Sequence, residues 1–414
     1  MKKIISVFIS ICIMMSLCIN AFASKQVVKE DDEINLPTSF VSSVKDDVAL
    51  DKLPVEIKAK SAVLMDVASG EVLLEYNKDL KVYPASVTKV MTMLLVCEAI
   101  NEKKISLSDM VSCTGNAASK GGSQIWLEEG EQMSVDDLLK ATVIGSANDA
   151  ATLLGEYVSG SEQAFIDLMN RRADELGMEN THFVNATGLD DTTDEHITSA
   201  MDVAIMSAEL LKYDFIRKYS TVWMDSLRNN KTELVNTNKL VRFYEGTTGL
   251  KTGTTAKAGC CVSASALRNG LHLVAIVMGS ANSKDRFDTA KKLLDYGFAN
   301  YTMHTPVYDE NINEVVTVTG GREEFINIKL PEIEPMLVKK GEEKKLKVTV
   351  DICDSLQAPV SKNQTLGMVD ITLDNKSIKQ YKIASVREVK KLNLIDSFMM
   401  VLNYISTGNC SYPF

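Results

Sequence analysis

The chain has 414 residues, with 45 Lys or Arg against 55 Asp or Glu and a formal net charge of −10. Such an acidic chain is a poor partner for nucleic acid, whose binders gain affinity by setting Lys and Arg on phosphates. The length allows two or three domains. The four histidines and eight cysteines show no metal-ligand spacing, so no metal or other cofactor is expected.

The N-terminus reads as an export leader. Lys2 and Lys3 precede an almost unbroken apolar run from Ile4 to Cys18, and Ala21-Phe22-Ala23 gives a small-x-small cleavage pattern, so 1–23 is expected to be a signal peptide. An uncleaved anchor is the alternative, but the run is short for a span of about 20 residues. Ile11 and Leu17, each preceding a cysteine, argue against lipid attachment. Residues 24–56 are polar and acid-rich and read as a linker. The six later cysteines, Cys97, Cys113, Cys260, Cys261, Cys353 and Cys410, read mostly as small buried apolar residues, and a Cys97–Cys113 pair stays open.

From Ile57 the pattern changes. Two apolar runs around Ala68-Ser69-Gly70 predict a hairpin. Helices dominate from Ser86 to about Tyr213, with N-caps expected at Ser134 and Ser199 and a C-terminal cap at Gly177. Strands return after Lys251, where Asn269-Gly270 between apolar runs is a strong hairpin signal. A helix over 284–298 closes the region. Strands at both ends of 57–304 bracket a helical middle, which predicts an α+β domain: one antiparallel sheet against a helical cluster. Alternating apolar residues then predict a small all-β domain over 305–386. In 387–414, Ile395, Phe398, Met399, Leu402 and Ile405 follow helical spacing behind Arg387, Lys390 and Lys391. This stretch, from about 386 to 405, reads as an amphipathic tail for an anionic membrane surface, with packing on the β domain as the alternative.

Three motifs carry chemistry. Ser86-Val87-Thr88-Lys89 puts Lys89 one turn from Ser86, within reach of its hydroxyl. A serine is a weak nucleophile until a neighbour takes its proton, and a lysine can do so only if burial or a nearby cation lowers its pKa. Lys251 could be that cation. Ser146-Ala147-Asn148 breaks two apolar helical stretches and adds a second hydroxyl and an amide. Lys251-Thr252-Gly253-Thr254 adds a cation, hydroxyls and a glycine that permits close backbone approach. Each motif alone is weak. Ser42-Ser43-Val44-Lys45 repeats the first in the acidic linker, and Ser280-Ala281-Asn282 repeats the second at a strand end, where it reads as a turn. The ordered triple is the signal.

These segments, with Tyr83-Pro84-Ala85 before Ser86, Gly121-Gly122-Ser123, Lys257-Ala258-Gly259 and the stretch from Ala358 to Asn375, resemble the penicillin-recognising serine enzymes, most closely the low-molecular-mass D-alanyl-D-alanine carboxypeptidases. The resemblance covers about 57–390 and implies a set of roles. Ser86 would attack the penultimate D-alanine carbonyl of a peptidoglycan stem peptide, with Lys89 as base, while Ser146 and Lys251 relay a proton to the leaving D-alanine. Asn148 would hold the substrate amide, and Thr252, Gly253, Thr254 and Arg286 would line the carboxylate site. The backbone N–H groups of Ser86 and Thr254 would form the oxyanion hole. A basic family position falls on Thr237 here, a departure that bears on the carboxylate clamp. β-Lactams would act as covalent inhibitors, and the enzyme would work outside the cytoplasm, at the outer membrane face or wall. The competing readings are an endopeptidase on peptide crosslinks, a β-lactamase of the same fold and a silent wall-binding protein. No Glu between Ser146 and Lys251 has Asn four residues on, which counts against the β-lactamase.

Overall fold

The computed structural model describes residues 53–407 except 191, 192, 310, 311 and 313. The leader, nearly all of the acidic linker, the Ser42 motif and Cys410 lie outside the described residues. The main sheet has five antiparallel strands: β1 (Ser61–Asp66), β2 (Val72–Tyr76), β3 (Thr247–Thr255), β4 (Gly259–Arg268) and β5 (Leu271–Ser280), in the order β2-β1-β5-β4-β3. Both ends of the domain therefore supply it, as the strand pattern predicts. Asn269 and Gly270 take φ of 50° and 82°, the positive values a two-residue hairpin turn needs.

Leu273 to Met278 is buried without a break, because the sheet is covered on both faces. Period-two geometry divides its side chains between two cores. Val63, Met65, Val274, Ile276 and Met278 join the helical cluster, including α1 (Lys89–Asn101), α2 (Val135–Lys140), α3 (Asn148–Ser159), α4 (Glu162–Glu175) and α5 (Ala200–Leu211). Ala62, Leu64, Leu273, Ala275 and Val277 pack with Phe287, Leu293 and Leu294 of α6 (Ser283–Asn300). Ser134 caps α2 through Asp137 N–H and Ser199 caps α5 through Asp202 N–H, while Gly177, with φ 72°, ends α4.

The small β domain has its own core, centred on Val316, Val318, Ile326, Val369, Ile371 and Ile383. Two segments beyond the expected 305–386 limits pair with strands inside them. Tyr301–His304 pairs with Met336–Lys339, while Tyr301 itself packs in the core beneath α6. Val389, placed in the tail, is buried and bridges Val360. One buried residue among exposed neighbours gives too little periodicity to mark a strand.

The tail helix, α7 (Leu394–Thr407), consequently starts later than the 386–405 stretch. Its first turn is fastened down: Asn393 and Asp396 cap each other, and buried Asp396 accepts from Arg322 Nε at 2.8 Å. At about 100° per residue, Phe398, Leu402 and Ile405 lie on the other side of the helix. They are exposed, as are Ile395 and Met399, so this face does not pack on the β domain. No helix among the described residues is long and apolar enough to cross a membrane.

Candidate active site

Ser86 sits in a one-turn 3-10 helix, Ala85–Thr88, that runs straight into α1. The sequence predicts the first turn of an α-helix; the tighter turn brings Lys89 Nζ to 3.0 Å from Ser86 Oγ. Lys89 Nζ also donates to Asn148 Oδ1 at 2.6 Å and to the Thr187 carbonyl at 2.9 Å. The side chain is wholly buried, which pushes its pKa well below the ordinary lysine value, and the Lys251 charge pushes it the same way while Asp149 opposes. A neutral amine has two N–H groups and one lone pair. In the neutral form the two pure acceptors, Asn148 Oδ1 and Thr187 O, take the hydrogens and the lone pair is left for the Ser86 hydroxyl, an arrangement that can serve as a base.

Asn148 uses both ends of its amide within the protein. Its Oδ1 is used by Lys89, and its Nδ2 donates to the Gly121 carbonyl at 2.7 Å. It orients the base and ties it to the Gly121–Leu127 loop. The following residue, buried Asp149, accepts from the backbone N–H groups of Ile125 and Leu127. Ser146 follows a π turn, Ala141–Gly145, and has φ 60°, so the break between α2 and α3 holds the second hydroxyl in a left-handed conformation.

Lys251 lies on β3, wholly buried, with the Thr252 carbonyl as a hydrogen-bond partner at 3.1 Å. Burial, then the Arg286 charge, lowers its pKa to about 7. Gly253 is required where the strand crosses the nucleophile turn: a Cβ there would lie 2.8 Å from Ser86 N and 3.0 Å from the Ala85 side chain. Arg286, near the start of α6, is buried and donates from Nη1 to the Gly253 carbonyl, Thr254 Oγ1 and the Cys261 carbonyl. It braces β3 and reaches the site through the Thr254 hydroxyl. Ser280-Ala281-Asn282 ends β5 and caps α6, a structural use of the same tripeptide. Cys97 and Cys113 are both free thiols.

The sequence reading missed the segment opposite the base. Asn185 Oδ1 gathers the Thr187 and Gly188 N–H groups, which turns the Thr187 carbonyl toward Lys89. Asn-Ala-Thr-Gly is a turn signal, but nothing in it points 98 residues back to a lysine. Beyond it, Asp190 accepts from Thr255 Oγ1 and fixes the far end of β3.

A serine hydroxyl 3.0 Å from a buried lysine amine, beside a strand that carries a second buried lysine, is an arrangement that can carry acyl transfer through a serine ester. The comparisons agree. Residues 47–282 match the D-alanyl-D-alanine carboxypeptidase family model, and 301–391 match the C-terminal domain of penicillin-binding protein 5. The chain is 42% identical to the D-alanyl-D-alanine carboxypeptidase DacF of Bacillus subtilis, covering 82% of this chain and 87% of the relative. Its identity to DacC of Escherichia coli is 36%, over 81% and 85%. Penicillin-binding protein 5 from Haemophilus influenzae superposes with a TM-score of 0.68 at 32% identity, covering 82% of this chain and 99% of that one. An ampicillin-bound form of penicillin-binding protein D2 from Listeria monocytogenes matches at TM-score 0.55 and 30% identity, over 59% and 100%. The chain belongs to the D-alanyl-D-alanine carboxypeptidase family.

Proposed function

We propose that this chain is a serine-type carboxypeptidase that removes the terminal D-alanine from peptidoglycan stem peptides. The observation that carries this is the wholly buried Lys89 amine 3.0 Å from Ser86 Oγ, its other partners both acceptors. Lys89 takes the Ser86 proton as Oγ adds to the penultimate carbonyl, and the Ser86 N–H, under Gly253, meets the developing oxyanion. Ser146 and Lys251 pass a proton to the departing D-alanine, whose carboxylate lies against Thr252 and Thr254, with Arg286 behind. Water then cleaves the ester by the same base. Incubation with muropeptides, both D-Ala-D-Ala-ended and crosslinked, tests the reading. Release of free D-alanine is expected, and crosslink cleavage without it would make the enzyme an endopeptidase.

A β-lactam should acylate Ser86 and stay. Intact mass is expected to show one adduct, lost in Ser86→Ala; an adduct on another residue, or rapid turnover of the drug, contradicts the assignment.

We place the enzyme at the outer face of the cytoplasmic membrane, with α7 as the contact. The exposed Ile395, Phe398, Met399, Leu402 and Ile405 would enter the interface, and Lys390 and Lys391 just before the helix would meet anionic headgroups. Removing residues 392–414 is expected to shift the protein from the membrane to the soluble fraction. Unchanged partition would put the contact elsewhere.

A further inference from the structure

His196 is wholly buried and takes no part in the acyl-transfer steps above, yet it stands two hydrogen bonds from the peptide that carries the nucleophile. Its Nδ1 accepts from the Val184 N–H at 3.1 Å, so the ring proton resides on Nε2. Nε2 is 2.8 Å from Thr88 Oγ1 and donates to it. The Thr88 hydroxyl then has its own hydrogen for the Ala85 carbonyl, also at 2.8 Å. Phe183 packs edge-on against the imidazole, its ring centroid 5.8 Å away. Burial pushes the His196 pKa down to about 3, so the ring stays neutral and keeps this donor pattern at working pH.

The end of this chain is a strained position. Ala85 has φ 48°, a left-handed value that a non-glycine residue holds only when its surroundings impose it. The Ala85 carbonyl and the Ser86 N–H belong to one planar trans peptide and point in opposite directions. Fixing the oxygen fixes the N–H. The Ser86 nitrogen faces β3 at Gly253, where a Cβ would come within 2.8 Å of it. A donor on the oxygen also polarises the N–H at the other end of the same amide.

We propose that His196 and Thr88 are positioning residues that aim and polarise the Ser86 N–H as an oxyanion donor. The inference rests on Ser86 being the nucleophile. Thr88→Val keeps the shape and removes the hydroxyl; Thr88→Ser restores it. His196→Asn keeps an acceptor for Val184 and loses the donor to Thr88, whereas His196→Gln keeps a donor in the Nε2 position. Acylation by a chromogenic cephalosporin should slow on the order of 10–100-fold in Thr88→Val and His196→Asn, the scale of a misaimed donor. Thr88→Ser and His196→Gln should recover most of that loss.

The readouts separate positioning from folding. The fraction of molecules acylated at long times, read by intact mass, should be complete in every variant. The pH profile should keep its midpoint and lose height, because the base is still Lys89. A folded Thr88→Val that acylates at the wild-type rate, a Thr88→Ser as slow as Thr88→Val, or a shifted midpoint would overturn the proposal. Ser86→Ala is run beside them: an adduct on that variant removes the nucleophile itself, whereas a silent Ser86→Ala with a fast Thr88→Val removes only the positioning chain.

Discussion

Lys89→Ala is expected to abolish measurable acylation by a β-lactam and release of D-alanine while leaving the fold intact. The general-base contribution alone is on the order of 10²–10⁴ in rate. Lys89→Arg should be as inactive, although it keeps the charge, because a guanidinium does not deprotonate. The wild-type acylation rate should rise with pH as Lys89 loses its proton, through a midpoint well below the ordinary lysine value, since burial and Lys251 both lower it. Both lysine variants should lack that limb. The same burial shapes stability. Lys251 titrates near pH 7 when folded and near 10.5 when unfolded, so between these values the unfolded chain binds more protons and Lys251 makes stability rise with pH. Stopped-flow acylation across pH 5–10 is the deciding measurement, and a Lys89→Arg variant that retains the wild-type profile would remove Lys89 as the base.

Gly188→Ala should be the most damaging small change near the site. A Cβ there would fall 1.7 Å from the Ala85 carbonyl oxygen and 2.8 Å from Thr88 Oγ1, and the backbone φ of 88° already disfavours any side chain. Overpacking and left-handed strain together cost about 4 kcal/mol, which lowers Tm on the order of 10 °C in a domain of this size. Whatever relief the loop finds must move the Thr187 carbonyl off Lys89 Nζ or the Ala85 peptide off its anchor. Molecules that fold should therefore label slowly with a fluorescent penicillin. Thermal unfolding and labelling at matched folded fraction test both halves; a variant with wild-type Tm and labelling rate would show that the loop can yield without cost.

The residues that act through short spacing were legible in the sequence. Ser86 and Lys89 are one turn apart, Ser134 and Ser199 cap the helices that follow them, and Asn269-Gly270 turns between apolar runs. The strand alternation of the β domain was legible for the same reason. What escaped depends on separations no local pattern records. Thr187 O meets Lys89 from the far side of the domain, and His196 meets Thr88 across 108 positions. Asn148 was found, but its partners were not, because an amide side chain does not declare which of its two ends will be used. The pairings of Tyr301–His304 with Met336–Lys339 and of Val389 with Val360 join segments distant in sequence, so no local pattern announces them.

The joint at the start of α7 has a mechanical consequence. The Leu392 N–H is bonded to the Gly320 carbonyl, the Arg322 N–H to the Lys390 carbonyl, and Arg322 Nε to Asp396, so three links within seven residues join the helix to the β domain. A single-bond tether would act as a leash and let the body tumble about its attachment. This joint works as a lever with a fixed pitch. Any surface that receives the face of Phe398 and Leu402 sets the tilt of the β domain along with its position.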